Sequence, residues 1–258
     1  MSRSPLIIGH RGASLHAPEN TLAAFQMALD SGCDGVEFDV QLSRDGVPVV
    51  IHDFDLRRTG RRPDKIVDLH AKELNKIDVG SWFNAKFPFR SLPLFEDETI
   101  PRLSQVLDLL ADSNGLIYIE LKCERLTEVE PLARAVCDAI RDSPNLAKMI
   151  VKSFRLEAIP IVREHLPEVQ TAALFSPRIA NFMRSRKHIL RIAQEFGATQ
   201  ISVHQALITR QLVSLAAEFG MPVTVWTADD PKWIERSRLF GIRSVITNDP
   251  AKLIKIRG

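Results

Sequence analysis

Residues 6–53 contain four side chains that could carry out acid-base and metal chemistry. His10 and His52 each come at the end of a short apolar run, and Glu37 and Asp39 lie between them in the segment VEFDV. Histidine is the side chain whose ordinary pKa lies near neutrality, so two of them could act as a general acid and a general base. Carboxylate oxygens are the ligands that hard cations such as Mg²⁺ and Ca²⁺ prefer. These residue types, placed where strands end, predict half of a metal-assisted catalytic site.

The other half is predicted on a later strand. Side chains of a β-strand alternate between two faces, so Glu37 and Asp39 share one face of VEFDV and the apolar residues share the other. The segment LIYIELK repeats this pattern, with Glu120 and Lys122 on one face together with a tyrosine. We therefore expect three carboxylates to converge on one divalent cation, Mg²⁺ or Ca²⁺. The alternative is that they are solvated strand ends or salt-bridge partners.

Fixed positive charge accompanies these acids. Arg11 and Lys122, with a divalent ion, would suit a phosphate group, and their alternative role is to balance the carboxylates. Lys152 is interpreted mostly as a surface residue or a polar residue of a barrel. Trp226 and His204 alternate inward on their predicted strands, where each could contact substrate or fill the barrel. Of these last two, Trp226 is predicted as a substrate-binding residue.

The elements that must position these groups alternate between strand and helix. The chain has 258 residues, which is enough for one large domain. Eight strand–helix units are predicted, with strands at 6–9, 35–42, 116–121, 149–154, 169–174, 200–204, 222–226 and 243–246. A doubly wound open sheet is the alternative, but eight units in this length favour an α/β fold of the TIM (β/α)₈ barrel type. No linker divides the chain, so residues 1–258 are predicted to form a single catalytic domain.

One segment interrupts this rhythm after the second strand. Residues 54–100, approximately, are too long for an ordinary loop and are predicted to be a small insertion over one end of the barrel. The insertion is rich in aromatic residues, and we expect them to pack its interior rather than to form a lipid-binding surface. They are Trp82, Phe83, Phe87, Phe89 and Phe95.

Composition limits the classes of partner. Lys and Arg number 34 against 32 Asp and Glu, so bulk charge gives no reason to expect nucleic acid or a membrane surface. No apolar run approaches the roughly 20 residues that a membrane span needs, and the N-terminus lacks a signal-peptide pattern. The three cysteines have no metal-like spacing, which predicts free thiols in the cytoplasm. The oligomeric state is left open.

A series of short motifs then identifies a family. In chain order they are IIGHRGAS, APENTLAAF, VEFDVQLSRDG, VVIHD, IPRLSQVL, IYIELK, VKSF, VTVWT and VITNDP. Together they resemble the glycerophosphodiester phosphodiesterase family over essentially the whole chain. Two small departures are Ser43, where the family often has threonine, and His16, where it usually has a small or apolar residue. Neither lies among the residues that carry the chemistry, although His16 could alter substrate preference.

The resemblance implies a TIM barrel that hydrolyses glycerophosphodiesters to sn-glycerol 3-phosphate and an alcohol. The nucleophile implied is the glycerol 2-hydroxyl, which would give a cyclic phosphate that water opens. The implied roles are metal ligation by Glu37, Asp39 and Glu120, acid-base catalysis by His10 and His52, and phosphate binding by Arg11 and Lys122. Which histidine is the acid, and which alcohol group is preferred, stay open.

Three alternatives remain beside this interpretation. A lysophospholipase D-like activity on lipid substrates would use the same site. A non-catalytic phosphate-binding barrel would bind the diester without releasing glycerol phosphate, but it would need neither histidine. An aldolase-like barrel with Lys122 as a Schiff-base nucleophile would leave the three acids and two histidines unexplained.

Overall fold

The computed structural model describes residues 4–180 and 185–258, and its centre is a closed parallel β-barrel. Within those residues the strands are Leu6–His10 (β1), Gly35–Leu42 (β2), Pro48–Val50 (β3), Leu116–Leu121 (β4), Met149–Ser153 (β5), Gln170–Phe175 (β6), Gln200–His204 (β7), Val223–Trp226 (β8) and Ser244–Thr247 (β9). The order β1-β9-β8-β7-β6-β5-β4-β2 is closed by pairing of β1 with β2, and β3 adds to β2 antiparallel. The predicted (β/α)₈ barrel is confirmed.

Helices surround the barrel. In the described part of the chain they are Leu22–Asp30 (α1), Ala71–Leu74 (α2), Ser81–Lys86 (α3), Leu103–Leu109 (α4), Val129–Ile140 (α5), Ala158–His165 (α6), Pro177–Ala180 (α7), Arg186–Glu195 (α8), Arg210–Glu218 (α9), Lys232–Phe240 (α10) and Pro250–Arg257 (α11). The Thr21 hydroxyl caps α1 by accepting from the backbone N–H of Ala24 at 3.3 Å. None of the helices described is both long enough and apolar enough to cross a membrane.

Strand alternation separates the helix-facing core from the barrel interior. On β2 the apolar residues Val36, Phe38 and Val40 pack against the helices, in one cluster with residues of α1 and α5. The interior is filled by a layer in which Tyr118 packs with Ile8, Ile150, Ala172 and Ile246. The Tyr118 hydroxyl lies 3.1 Å from Thr224 Oγ1 and 2.9 Å from Ser244 Oγ, so this buried polar group is satisfied. This layer forms the floor below the carboxyl ends of the strands.

The segment between β3 and α4 has its own packing. Leu56, Ile66 and Leu74 form a buried cluster against Val49 of β3, and a second cluster joins three aromatic residues of the insertion to Ala17 and Ala24 near the start of the chain.

These clusters test the prediction that the aromatic residues pack the interior of the insertion. Trp82, Phe83 and Phe95 are buried as expected, and Phe87 is half-buried. Phe89 is fully exposed, so the expectation that it packs the insertion is wrong. It lies in a short 3₁₀ turn, Pro88–Arg90, in which no residue is buried.

Gly12 and Gly46 both have a left-handed backbone, but only Gly12 is also crowded by neighbouring atoms. Gly12 has φ +81°, and an added Cβ would lie 2.5 Å from the Ala24 carbonyl group of α1. Gly46 has a similar φ of +74°, but an added Cβ would meet nothing within 4 Å. The left-handed conformation alone costs an L-residue roughly 1–2 kcal/mol, and overpacking adds about 1–3 kcal/mol.

We therefore expect Gly12→Ala to lower the free energy of unfolding by about 3 kcal/mol and Gly46→Ala by about 1 kcal/mol. Urea denaturation of both variants measures this difference. Equal decreases in the free energy of unfolding would show that the short distance between the β1–α1 loop and α1 does not restrict the side chain at position 12.

Candidate active site

Three buried carboxylates meet at the carboxyl end of β2 and β4. Asp39 pairs directly with Glu120 across the two strands, and Glu37 lies two residues earlier on β2. Each of the three side chains offers an oxygen atom within 4.8 Å of those of the other two. Their exposed fractions are 1%, 1% and 6% for Glu37, Asp39 and Glu120. The structure thus brings together the three acids that strand alternation predicts.

Arg11 and Lys122 lie against this cluster. Lys122 Nζ is 3.0 Å from Glu120 Oε1 and 3.7 Å from Asp39 Oδ1. Arg11 Nε is 3.1 Å from Asp39 Oδ2, as a charge pair that lacks hydrogen-bond alignment. Burial opposes the charge on Asp39, but Arg11 and Lys122 hold the pKa of its carboxyl well below the usual range. Asp39 is therefore ionised at neutral pH.

A third cation lies on the inner side of the cluster. Lys152 Nζ on β5 is 2.8 Å from Glu37 Oε1 and 3.8 Å from Glu120 Oε2, and the residue is only 2% exposed. Burial would raise the pKa of the Glu37 carboxyl, but the charge of Lys152 lowers it below its ordinary value. The interpretation of Lys152 as a surface residue is wrong, and its polar position in the barrel is confirmed.

Arg11 is held in place by its backbone as well as by its side chain. Its φ of +53° is in the left-handed region, which is strained for a residue with a Cβ. Its N–H donates to Glu37 Oε2 at 3.2 Å, and its carbonyl accepts from the N–H of Asn20 at 3.1 Å. Its guanidinium donates to Glu19 Oε1 at 2.7 Å. These contacts keep the strained loop in the geometry that points Arg11 at Asp39.

Asn20 is a site residue that the sequence analysis missed. Its side-chain amide donates to Asp39 Oδ2 at 2.9 Å, and its Oδ1 accepts from the Asp39 N–H at 3.3 Å. This two-point contact orients the carboxylate. The motif APENT contains Asn20, but a polar residue before a helix is equally typical of an N-cap, and only the structure shows that Thr21 takes that role.

His10 is oriented by an amide. Its Nδ1 is 2.6 Å from Asn248 Oδ1, and the Asn248 amide nitrogen donates to Asp229 Oδ2 at 2.8 Å, so the carbonyl oxygen faces the ring. His10 Nδ1 therefore carries the proton in the neutral ring, and Nε2 lies 3.9 Å from Glu37 Oε2. Burial and then the nearby Arg11 charge lower the pKa of His10 below its ordinary value.

His52 is oriented by a carboxylate instead. Its Nδ1 is 2.7 Å from Asp53 Oδ1, and Arg58 Nε donates to the other oxygen of Asp53 at 2.6 Å. The Gln41 amide, at the end of β2, donates to the backbone carbonyls of Ile51, His52 and Asp53 at 2.8–3.1 Å. One buried side chain thus fixes the turn that presents His52. The sequence analysis did not identify Gln41, Asp53, Arg58 or Asn248.

The insertion borders the space beside His10. An open pocket with about 510 Å³ of empty volume is bounded by His10, Arg11 and Asn248 on the barrel side and by Trp82, Lys86 and Phe87 of the insertion on the other. Three residues of the insertion thus line one side of this pocket, and its placement over the catalytic site stays a prediction. Trp226 makes edge-on contacts with His204 and Phe154, at centroid distances of 5.1 and 5.6 Å. Substrate contact by Trp226 stays a prediction.

Both the sequence and the fold of the chain are similar to those of known proteins. A sequence model of the "Glycerophosphoryl diester phosphodiesterase family" matches residues 10–252. A glycerophosphodiester phosphodiesterase of Caldanaerobacter subterraneus is 30% identical over 251 residues, covering 97% of both chains. A phosphodiesterase of Oleispira antarctica, solved with its product sn-glycerol-3-phosphate, has a TM-score of 0.84 and 27% identity, over 98% of this chain and 96% of its own. A glycerophosphodiester phosphodiesterase of Thermotoga maritima has a TM-score of 0.77 and 26% identity, with full coverage of both chains.

Glu19 links the loop of Arg11 to that of His52. Both oxygens of Glu19 accept from Arg58, at 2.7 and 2.8 Å, and Oε1 also accepts from Arg11. Burial would raise the pKa of Glu19, but the hydrogen bonds and charges of the two arginines lower it to about 2 from 4.5. A carboxyl group whose pKa is lower in the folded than in the unfolded state stabilises the fold. This stabilisation is complete above the unfolded pKa of 4.5 and is lost as the pH falls towards 2.

We expect Glu19→Gln to be less stable than the wild type at pH 7, and the difference to shrink by on the order of 2 kcal/mol between pH 5 and pH 2.5. Urea unfolding at several pH values measures it. Glu130→Gln, at an exposed site on α5, controls for the substitution itself. A Glu19→Gln deficit that stays constant with pH would contradict the assignment.

Proposed function

Since the chain belongs to the glycerophosphoryl diester phosphodiesterase family and is therefore a phosphodiesterase, we propose that it hydrolyses glycerophosphodiesters to sn-glycerol 3-phosphate and an alcohol with one divalent cation. The observation that carries the proposal is the set of three buried carboxylates, with His10 beside Glu37 and His52 near enough to Asp39 to influence its pKa. The solved relative that holds sn-glycerol-3-phosphate supports this choice of product.

The carboxylate set fits a hard divalent ion. Glu37, Asp39 and Glu120 provide oxygen atoms only, close together and shielded from bulk water, which suits Mg²⁺ or Ca²⁺ better than zinc. When bound there, such an ion would supply positive charge that polarises a phosphate oxygen and lowers the pKa of a coordinated hydroxyl. We propose these three residues as its ligands.

Phosphate binding is assigned to Arg11 and Lys122. Both are partly accessible from the mouth, with 17% and 14% of their side chains exposed, and both already face the carboxylate cluster. A guanidinium group and an ammonium group can together contact the non-bridging oxygens of a phosphodiester and stabilise charge that develops on them. Trp226 is proposed to contact the substrate at the same mouth.

The hydrogen-bond partners of the two histidines support different roles. The neutral amide of Asn248 fixes the Nδ1–H form of His10 and leaves its Nε2 lone pair available, so His10 is proposed as the base that accepts the proton of the attacking hydroxyl. The carboxylate of Asp53 orients the ring of His52 through Nδ1 and leaves Nε2 for proton transfer, and His52 is proposed as the acid that acts with His10. As the glycerol 2-hydroxyl oxygen bonds to phosphorus, the bond to the alcohol breaks, and His52 donates its proton to the leaving alkoxide. Water then opens the resulting cyclic phosphate to sn-glycerol 3-phosphate, with the two histidines exchanging their acid and base roles.

A lysophospholipase D-like activity is the second candidate, and one observation favours it. Phe89 is fully exposed and Leu92 and Leu94 are 40% and 53% exposed, on the insertion that borders the His10 pocket. An apolar surface of this kind is typical of contact with other apolar groups, including acyl chains. Comparing turnover of glycerophosphocholine and lysophosphatidylcholine decides between the two substrates.

We further propose that residues 1–258 act as one catalytic barrel in the cytoplasm. Cys33, Cys123 and Cys137 are free thiols, which supports a reducing compartment.

Chelation tests the metal dependence. We expect excess EDTA to abolish release of sn-glycerol 3-phosphate from glycerophosphocholine, and Mg²⁺ or Ca²⁺ to restore it, because chelation removes the positive charge that would polarise the phosphate and acidify the attacking hydroxyl. A coupled assay for glycerol 3-phosphate measures the rate with each ion. Full activity in excess chelator would remove the metal from the proposed function.

Leaving-group chemistry separates the two histidines. We expect His10→Ala and His52→Ala each to lower kcat on glycerophosphocholine by roughly a hundredfold or more. On a glycerol 4-nitrophenyl phosphodiester, whose leaving group needs no proton, His52→Ala is expected to regain most of its kcat, whereas His10→Ala stays impaired. Circular dichroism checks that both variants are folded. Recovery by His10→Ala instead would reverse the assignment, and a variant with near-native kcat on both substrates would remove that histidine from the mechanism.

A further inference from the structure

Lys152 differs from the other two cations of the site in what it can reach. It is 2% exposed, against 17% and 14% for the side chains of Arg11 and Lys122. It projects from β5, where its backbone pairs with Glu120 on one side and with Ala172 on the other. Both of its charged partners, Glu37 and Glu120, belong to the carboxylate cluster. A phosphate at the mouth would therefore meet Arg11 and Lys122, while Lys152 stays behind the carboxylates.

The buried position of Lys152 matters for the charge balance of the carboxylate cluster. Buried carboxylates close together repel one another, and each needs a compensating partner to remain ionised inside the protein. Arg11 and Lys122 compensate Asp39 and part of Glu120, but Glu37 Oε1 has its closest cation in Lys152. Without Lys152, Glu37 would lose that compensation in a site with almost no access to water.

We propose that Lys152 is an internal counter-ion, which holds Glu37 and Glu120 in the arrangement that ligates the divalent cation and which weakens the affinity for that cation. This inference rests on the proposed function, because it takes the three acids as metal ligands. Lys152 is a positioning residue, since it contacts the carboxylates and not the substrate.

Two effects follow from the one ammonium group. Before an ion binds, Lys152 replaces part of its charge, so the carboxylates stay together and the empty site does not destabilise the barrel. Once an ion binds, two positive charges lie against the same oxygen atoms, and their repulsion lowers affinity. Lys152 would thus make the divalent ion readily exchangeable.

Two variants of Lys152 separate charge from hydrogen bonding. Lys152→Gln removes the charge but keeps an N–H donor for Glu37, and Lys152→Met removes both. Lys148→Gln is the matched control, because Lys148 lies just before β5 at the opposite end of the barrel, where it donates to the Ser113 carbonyl and to Asn145. All are prepared as the full chain, stripped with chelator and dialysed.

The first readout is the Kd for Mg²⁺ and for Ca²⁺ by isothermal titration. We expect Lys152→Gln to bind the ion at least about tenfold more tightly than the wild type, and Lys148→Gln to match the wild type. The second readout is the Tm with EDTA and with the ion. Lys152→Met is expected to melt roughly 5 °C or more below the wild type in EDTA and to recover most of that loss when the ion is added.

The possible failures are distinguishable. An unchanged Kd in Lys152→Gln, beside a wild type whose activity needs the ion, overturns the counter-ion role and leaves the proposed function in place. A Tm deficit in Lys152→Met that the ion does not recover shows a purely structural lysine and also overturns it. A wild type that binds neither ion overturns the metal site itself, and this inference with it.

Discussion

The structure depends on keeping three buried carboxyl groups close together inside a barrel. Isolated charges in such a place would lose far more hydration energy than a folded domain can spare, so they persist only where opposite charge and hydrogen bonds surround them. Here Arg11, Lys122 and Lys152 provide the charge, and Asn20 provides hydrogen bonds to Asp39. The cluster is consequently anionic only in part, which suits the proposed binding of both a cation and a phosphodiester.

The loops around the barrel serve this cluster in two linked halves. On one side, the strained backbone of Arg11 bonds to Glu37 and leads into Asn20, while Asn248 orients His10. On the other side, Gln41 and Arg58 fix the turn of His52. Glu19 bonds to an arginine from each half, so ion pairs connect the loop that follows His10 to the turn that presents His52.

The sequence alone predicted those features that follow from the alternation of side chains along a strand. Alternation along β2 and β4 placed Glu37, Asp39 and Glu120 on the inner face because each strand has an apolar outer face, and this inference needs no knowledge of partners. Periodicity could not decide whether Lys152 is exposed or buried. An inward-facing polar residue on β5 could equally contact solvent at the mouth of the barrel or form an ion pair deeper in its interior. Only the depth of the side chain and the closeness of Glu37 decide that question. Asn20 and Gln41 were missed because their role is to bond to residues that are close only after folding, and Phe89 was misjudged because aromatic content does not tell which ring faces out.

The account depends most on which phosphorus–oxygen bond is broken at this site. A ³¹P NMR spectrum of glycerophosphocholine incubated with the ion-loaded chain measures this directly. The account predicts that the diester resonance is replaced by that of sn-glycerol 3-phosphate, with free choline as the second product. Formation of phosphocholine and glycerol, or a diester signal that persists in the presence of Mg²⁺ and of Ca²⁺, would contradict it.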